Sequence, residues 1–107
     1  MSIFTLESLA KIIAERARAG GEGSYTRQLL DGGVAKCAKK LGEEATETAL
    51  AAVSGEDKSL VAESADLLYH LLVLLESRGV ALAEVYAELE RRTARSGLEE
   101  KASRRKD

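Results

Sequence analysis

Apolar residues recur every three or four positions along most of this chain, which is the spacing of amphipathic helices. A first helix is predicted from Leu6 to about Ala19, because Thr5 can cap its start and three glycines among residues 20–23 stop it. A short turn or helix then leads to Gly32 and Gly33. The start of the chain therefore predicts one helix and a compact connection.

The rest of the chain predicts two long helices and a shorter one. They run from about Val34 to Val53, from about Lys58 to Arg78 and from about Leu82 to Arg95. These elements predict an all-α, four-helix bundle-like fold in one domain over residues 1–95. Residues 96–107 are charged and poor in apolar side chains, so we expect a flexible tail.

The two long predicted helices differ in the pattern of their apolar positions. On the first, the main apolar face occupies ~80° of a helical wheel drawn at 100° per residue. It consists of Val34, Ala38, Leu41, Ala45, Ala49 and Ala52. The second is apolar on more sides than the other helices of one chain can cover, which predicts a homodimer.

Composition narrows the class of protein. The 107 residues carry 16 basic and 18 acidic side chains, a net charge of −2, and 45% are hydrophobic. Such a balance indicates a globular protein and argues against a general binder of nucleic acid or anionic membranes. With one cysteine, Cys37, there is no intrachain disulfide, and we expect a small buried residue. The chain start resembles no signal peptide and the apolar runs are short, so we expect a cytoplasmic protein.

Carboxylates are concentrated on the two long predicted helices. Glu43, Glu44 and Glu47 lie within ~100° of arc on the first, roughly opposite the centre of its apolar face, with Lys40 in the same sector. Taken alone, this pattern is most simply a solvated acidic face.

The second long helix changes this interpretation. Glu63 and Asp66 share a face of an otherwise apolar helix, and a buried carboxylate must pair, take up a proton or bind a cation. Carboxylates from two antiparallel helices would form an oxygen-only site, which suits hard divalent cations and Mg²⁺ above all. Such a site is suited to phosphate-anhydride chemistry. From spacing alone, a metal site and structural charge both stay open.

Four sequence blocks carry a resemblance to a known family. Residues 40–47, KLGEEATE, and residues 63–70, ESADLLYH, resemble the EExxE…ExxD signature of the MazG-like all-α nucleotide pyrophosphohydrolases. The other two blocks are Ser24-Tyr25-Thr26 with Leu29-Leu30, and Arg78-Gly79-Val80 before a helix ending LERR. In this order, over residues 5 to about 95, they resemble the phosphoribosyl-ATP pyrophosphatases most closely.

The resemblance implies a dimeric helical enzyme of the second step of L-histidine biosynthesis. It implies Mg²⁺-dependent hydrolysis of phosphoribosyl-ATP between its α and β phosphates, giving phosphoribosyl-AMP and pyrophosphate. Only this step is expected, because no cyclohydrolase domain is recognised in the sequence. By position, the implied metal ligands are Glu44, Glu47, Glu63 and Asp66. Glu43 joins Glu44 and Glu47 as a catalytic candidate, in the role of positioning water.

Five further residues are candidates for binding substrate, and each has a structural alternative. Tyr25 and Thr26 lie in a loop and could instead serve packing or capping, and Lys40 could form an ion pair within its helix. His70 could be hydrogen-bonded within a helix interface, and Arg91 could be a cation that stabilises a helix end.

Two other functions compete with the phosphoribosyl-ATP reaction. One is a house-cleaning pyrophosphatase for free or damaged nucleoside triphosphates, which the short chain and the blocks around Tyr25 and Tyr69 disfavour. The other is a non-catalytic helical dimerisation module with merely superficial acids, which the apolar setting of Glu63 and Asp66 disfavours.

Overall fold

A computed structural model describes residues 3–19, 24–94, 101, 102 and 104 of the chain. Within these residues the protein is helical and has no strand, which confirms the all-α fold class. The helices are α1 (Leu6–Ala19), α2 (Tyr25–Asp31), α3 (Gly33–Ser54), α4 (Asp57–Arg78) and α5 (Leu82–Thr93).

The first two helices begin at side-chain caps. The Thr5 hydroxyl accepts a hydrogen bond from the Ser8 amide at 3.2 Å, and the Thr5 amide donates to the Ser8 hydroxyl at 3.1 Å. The predicted cap is thus confirmed. The Ser24 hydroxyl caps α2 by accepting a hydrogen bond from the Arg27 amide at 3.3 Å. The segment before Gly32, predicted as a short turn or helix, is therefore a helix. The glycines predicted to stop α1 lie outside the described residues.

The two long helices end at glycines with left-handed backbone. Gly55 closes α3 at a φ of 83° and Gly79 closes α4 at a φ of 69°, a conformation that other residues adopt only with strain. Because the α3–α4 connection is so short, these helices run antiparallel. They form the most extensive helix–helix contact of the described chain, with α1 and α2 packed against them.

The core lies where α1 and α2 meet this helical pair. Its members are Ile13, Leu29, Cys37, Leu72 and Val73. The Cys37 side chain is 1% exposed and its thiol donates to the Leu29 carbonyl at 3.3 Å, which confirms the prediction of a small buried residue.

Helix α5 is attached more lightly than the others and has no buried residue. The Glu84 carboxylate accepts from the Ala81 amide at its start, at 3.0 Å. A backbone hydrogen bond lowers the pKa of Glu7 of α1, and a hydrogen bond with Tyr86 of α5 lowers it further. The predicted end at Arg95 lies outside the described residues. Of the predicted tail, Lys101, Ala102 and Arg104 are helical, and its flexibility stays a prediction.

The predicted main apolar face of α3 does not form the core of the single chain. Val34 is 39% exposed, Leu41 is half-buried, and the four alanines of that face, at positions 38, 45, 49 and 52, are exposed. Instead Cys37, Glu44 and Ala51 are the buried residues of α3. Periodicity locates an apolar face but not the element that covers it, and here α4 packs on the neighbouring face.

No helix among the described residues is both long and apolar enough to cross a bilayer.

Candidate active site

The antiparallel pairing of α3 and α4 brings three of the predicted metal-binding carboxylates together. Glu44 of α3 and Glu63 and Asp66 of α4 each present one oxygen, and these atoms all lie within 4.8 Å of one another. Glu44 is 8% exposed, Glu63 is half-buried and Asp66 is exposed. The cluster therefore opens to solvent on the Asp66 side and is closed on the Glu44 side.

Two carboxylate oxygens of this cluster are buried without a hydrogen-bond partner. They are Oε2 of Glu44 and Oε2 of Glu63. A buried anionic oxygen without a donor is costly, so each of these carboxyl groups must take up a proton or meet a positive charge. The solvated acidic face, which was one interpretation of the α3 glutamates, is therefore wrong for Glu44.

Burial and mutual repulsion make these acids hold their protons more strongly. Desolvation raises the pKa of Glu44 above its ordinary value of 4.5, and the charges of Glu47 and Asp66 add to this rise. Desolvation also raises the pKa of Glu63, to which a hydrogen bond with Glu47 contributes. Glu47, the fourth predicted ligand, is exposed and does not belong to the group of oxygens within 4.8 Å of one another, but it acts on both Glu44 and Glu63 from the rim of that group.

A hydroxyl that the sequence reasoning did not single out lies between the two ligand-bearing helices. The Thr48 hydroxyl lies 2.7 Å from the Glu44 carbonyl oxygen of its own helix and 3.0 Å from the Glu63 carbonyl oxygen of α4. The sequence could have predicted that Thr48 faces α4, because Glu44, Thr48 and Ala51 are spaced four and three residues apart and share a helix face.

His70 is tied into the protein through both ring nitrogens. Nδ1 lies 2.8 Å from the Asp66 carbonyl oxygen, and Nε2 lies 3.3 Å from the Tyr25 hydroxyl. Because a carbonyl only accepts, Nδ1 carries a hydrogen, and in the neutral ring Nε2 accepts from Tyr25. With 5% exposure, His70 matches the alternative of a satisfied interface histidine, one turn beyond Asp66.

An aromatic cluster extends from this histidine. The rings of Tyr25 and Tyr69 stack with centroids 6.2 Å apart, and both contact the His70 ring edge-on. The Thr26 and Tyr69 hydroxyls are hydrogen-bonded, and Thr26 is 1% exposed. Thr26 therefore packs inside the protein, which is the structural alternative predicted for it. Tyr25 is 49% exposed and open to a ligand. The sequence pattern predicts no part in this cluster for Tyr69.

Lys40 lies next to the carboxylate cluster and is paired on its own helix. Its ammonium is 3.3 Å from the Glu43 carboxylate. This contact, and then the neighbouring Tyr25, raise the pKa of Lys40. The predicted ion pair is confirmed, and it places a cation beside the only predicted substrate-binding tyrosine.

Arg91 lies on α5, where it forms two hydrogen bonds with Glu88 at 2.9 and 2.7 Å. Together with Arg92, this arginine lowers the pKa of Glu88 to about 2. The structure thus gives Arg91 a contact within its helix, and its substrate-binding role stays a prediction.

The donor set of the cluster fits a hard divalent cation. Its donor atoms are all carboxylate oxygens, Glu44 and Glu63 each hold one buried oxygen without a partner, and the Asp66 side is open to solvent for water or phosphate oxygens. An all-α fold with such a cluster between two antiparallel helices is also what the resemblance to the helical nucleotide pyrophosphohydrolases implied.

Comparison with known proteins gives the family. Residues 6–93 match the phosphoribosyl-ATP pyrophosphohydrolase family. Phosphoribosyl-ATP pyrophosphatase 1 of Bradyrhizobium diazoefficiens is 62% identical over 105 residues, covering 98% of this chain and 99% of that protein. Its counterpart of Rhodopseudomonas palustris is 57% identical over 107 residues, covering the whole of both chains. The chain belongs to the phosphoribosyl-ATP pyrophosphohydrolase family, which confirms the resemblance seen in the four sequence blocks.

The raised pKa of Glu44 predicts how stability changes with pH in the absence of divalent cations. Below 4.5 the carboxyl is protonated in both the folded and the unfolded chain. As the pH rises, the unfolded chain loses this proton first, so the free energy of unfolding falls until the higher folded pKa is passed. We expect Glu44→Gln to escape this loss and to unfold at higher urea than the wild type at neutral pH in EDTA.

The control for this experiment is Glu43→Gln, which removes only an exposed ion pair and should change stability by no more than about 0.5 kcal/mol. The advantage of Glu44→Gln should vanish when both proteins are unfolded at about pH 4. A Glu44→Gln protein that is less stable than the wild type at neutral pH would show that this carboxylate is a structural ion-pair partner.

Proposed function

We propose that this protein hydrolyses phosphoribosyl-ATP at the α–β phosphoanhydride. Water adds across that bond, and the products are phosphoribosyl-AMP and pyrophosphate with release of a proton. The observation that carries the proposal is the cluster of Glu44, Glu63 and Asp66, with its two unpartnered buried oxygens, in a chain of this family. The reaction would be the second step of L-histidine biosynthesis, in the cytoplasm expected from the sequence.

The residues proposed to hold Mg²⁺ are Glu44, Glu47, Glu63 and Asp66. Glu44 and Glu63 supply the buried oxygens, Asp66 supplies one from the open side, and Glu47 contacts both glutamates from the rim. When bound, the cation would neutralise charge on the phosphate oxygens and lower the pKa of the attacking water. The Oε2 atoms of Glu44 and Glu63 have no hydrogen-bond partner in the protein, so no protein donor competes with a cation for them.

The rest of the site is proposed to bind and orient the polyphosphate. The Lys40 ammonium lies beside the carboxylates, where a cation can contact phosphate oxygens. The half-exposed Tyr25 side chain stands next to Lys40, with its one hydroxyl hydrogen donated to His70. His70 holds the Tyr25 hydroxyl, and Thr26 supports the cluster from within through Tyr69. Glu43 is proposed to position water from the solvent side.

The nucleoside triphosphate pyrophosphatase is the second candidate within the same chemistry, because the same carboxylate cluster would serve it. Nothing in the cluster itself distinguishes a free nucleotide from one carrying a second ribosyl phosphate. The relatives named as phosphoribosyl-ATP pyrophosphatases favour the first substrate. The buried, unpartnered oxygens of Glu44 and Glu63 argue against a merely structural module.

A pyrophosphate-release assay tests the substrate. We expect release from phosphoribosyl-ATP with Mg²⁺ to exceed release from ATP, GTP, CTP and UTP, and to stop in EDTA. The nucleotide product should be phosphoribosyl-AMP, because the bond broken is the α–β anhydride. Orthophosphate as the first product would contradict that assignment, and comparable turnover of the common triphosphates would favour the second candidate.

Asp66→Asn tests the metal site. The change removes one negative charge from a crowded cluster, so the metal-free protein should keep its fold and its melting temperature or gain slightly. It also removes an oxygen ligand, so Mg²⁺ affinity and turnover should fall together, by about 10-fold or more. Calorimetric Mg²⁺ titration and thermal unfolding with and without Mg²⁺ measure both effects.

The metal-site proposal fails if Asp66→Asn is clearly less stable without metal and yet fully active. A structural partner would behave in that way, because its loss leaves a cation unpaired at a cost of roughly 1–3 kcal/mol.

We also infer that the protein is a homodimer. The exposed face of α3 that contains Ala45, Ala49 and Ala52 is apolar and built of small residues, which let another helix approach closely. Near it, Leu50 is 64% exposed and Val53 is 85% exposed. An exposed surface of this kind is a common mark of a protein–protein interface, and a second copy with the same face satisfies both at once.

Sedimentation tests the dimer. At micromolar concentration the wild type should sediment with twice its chain mass of 11.5 kDa. Ala49→Arg places a long charged side chain in the centre of the apolar face, so we expect the monomer fraction to increase by at least about tenfold at equal concentration. Wild-type protein that sediments as a monomer would overturn the inference.

A further inference from the structure

Thr48 makes a contact that no other described threonine of α3 makes. Its hydroxyl lies within hydrogen-bond distance of two backbone carbonyls, at 2.7 Å from Glu44 and at 3.0 Å from Glu63. A hydroxyl has one hydrogen to donate, so it is shared between the two oxygens or alternates between them. The two carbonyls belong to different helices.

The contact within α3 is ordinary, and the contact with α4 is not. Threonine in a helix often bonds the carbonyl four residues before it. Thr46 does so two positions earlier, with its hydroxyl 3.2 Å from the Gly42 carbonyl, and Thr46 is exposed. The bond from Thr48 to Glu63, by contrast, joins α3 to α4, and it requires the two backbones to approach closely at this level.

The residues joined in this way are the ones that supply the buried oxygens of the cluster. Glu44 and Glu63 each have an Oε2 atom that is buried and unpartnered. Each side chain starts from a backbone unit whose carbonyl accepts from the same hydroxyl. The Thr48 hydroxyl therefore fixes the separation of the two backbone units from which these carboxylates reach toward one another.

We propose that Thr48 is a positioning residue for the divalent-cation site, holding Glu44 and Glu63 at the spacing that a shared cation requires. Without the hydroxyl, mutual repulsion of the carboxylates is free to move α3 and α4 apart at this level. Hydrogen bonds that orient metal ligands from behind typically contribute about 10-fold or more to metal affinity. This inference rests on the proposed Mg²⁺ site.

The test is a calorimetric titration of the full chain with Mg²⁺ alone. Thr48→Val replaces the hydroxyl by a methyl of similar volume and should weaken Mg²⁺ binding by about 10-fold. Thr48→Ser keeps the hydroxyl and should bind within about threefold of the wild type. The matched control is Thr46→Val, the same change on the same helix, which removes only a bond within α3 and should leave Mg²⁺ affinity unchanged.

A second readout separates positioning from general support of the fold. The increase in melting temperature on adding saturating Mg²⁺ should shrink in Thr48→Val and stay at its wild-type size in Thr46→Val. Should the valine variant not fold, Thr48→Ala removes the same hydroxyl without the added methyl and is expected to show the same loss of affinity.

Three results would overturn the inference. Thr48→Val with wild-type Mg²⁺ affinity would do so, whatever its melting temperature, as would equal losses in the serine and valine variants. If either of these results is found while Asp66→Asn abolishes Mg²⁺ binding, the metal site stands and only the role of Thr48 fails. Wild-type protein that binds no Mg²⁺ would remove both proposals together.

Discussion

The arrangement of this protein depends on one costly feature, the Glu44 carboxylate enclosed between α3 and α4. Its Oε2 atom has no donor, and the Glu63 oxygen beside it has none either. Desolvation raises the pKa of both groups, and the neighbouring carboxylates, Glu47 and Asp66 among them, raise it further. The helical pair is therefore held together at this level in spite of the cluster, which is the usual condition of a site built to bind a cation.

The surrounding contacts offset this cost with bonds between backbone and side chain. Thr48 links the carbonyls of Glu44 and Glu63, and His70 links the Asp66 carbonyl to Tyr25. Both use groups with a defined donor, so each fixes the backbone that carries a carboxylate without supplying a positive charge to it. The carboxylates stay available to a ligand while the backbone that carries them is hydrogen-bonded.

Helix α3 also has an apolar surface that no other helix of the single chain covers. The small apolar side chains of α3 at positions 45, 49 and 52 are exposed in the single chain, and the lightly attached α5 buries none of its residues. In a chain of this size the apolar core is small, so a second copy adds burial that the single chain lacks. The proposed dimer would therefore also stabilise the α3–α4 pair.

The sequence alone determined the helices, their caps and the family, because helical periodicity, Thr5, Gly55 and Gly79 act locally, and because four blocks stand in a specific order. It also predicts Glu44, Glu47, Glu63 and Asp66 as metal ligands, and the structure brings Glu44, Glu63 and Asp66 together. Only the tertiary structure decided that Glu44 is buried while Asp66 is exposed, that Thr26 lies inside, and that Thr48 joins two helices. Each of these depends on how α3 is rotated against α4. A wheel of α3 shows an apolar alanine face beside a mixed face, and the pairing with α4 leaves the alanine face exposed and buries Cys37, Glu44 and Ala51 of the mixed one.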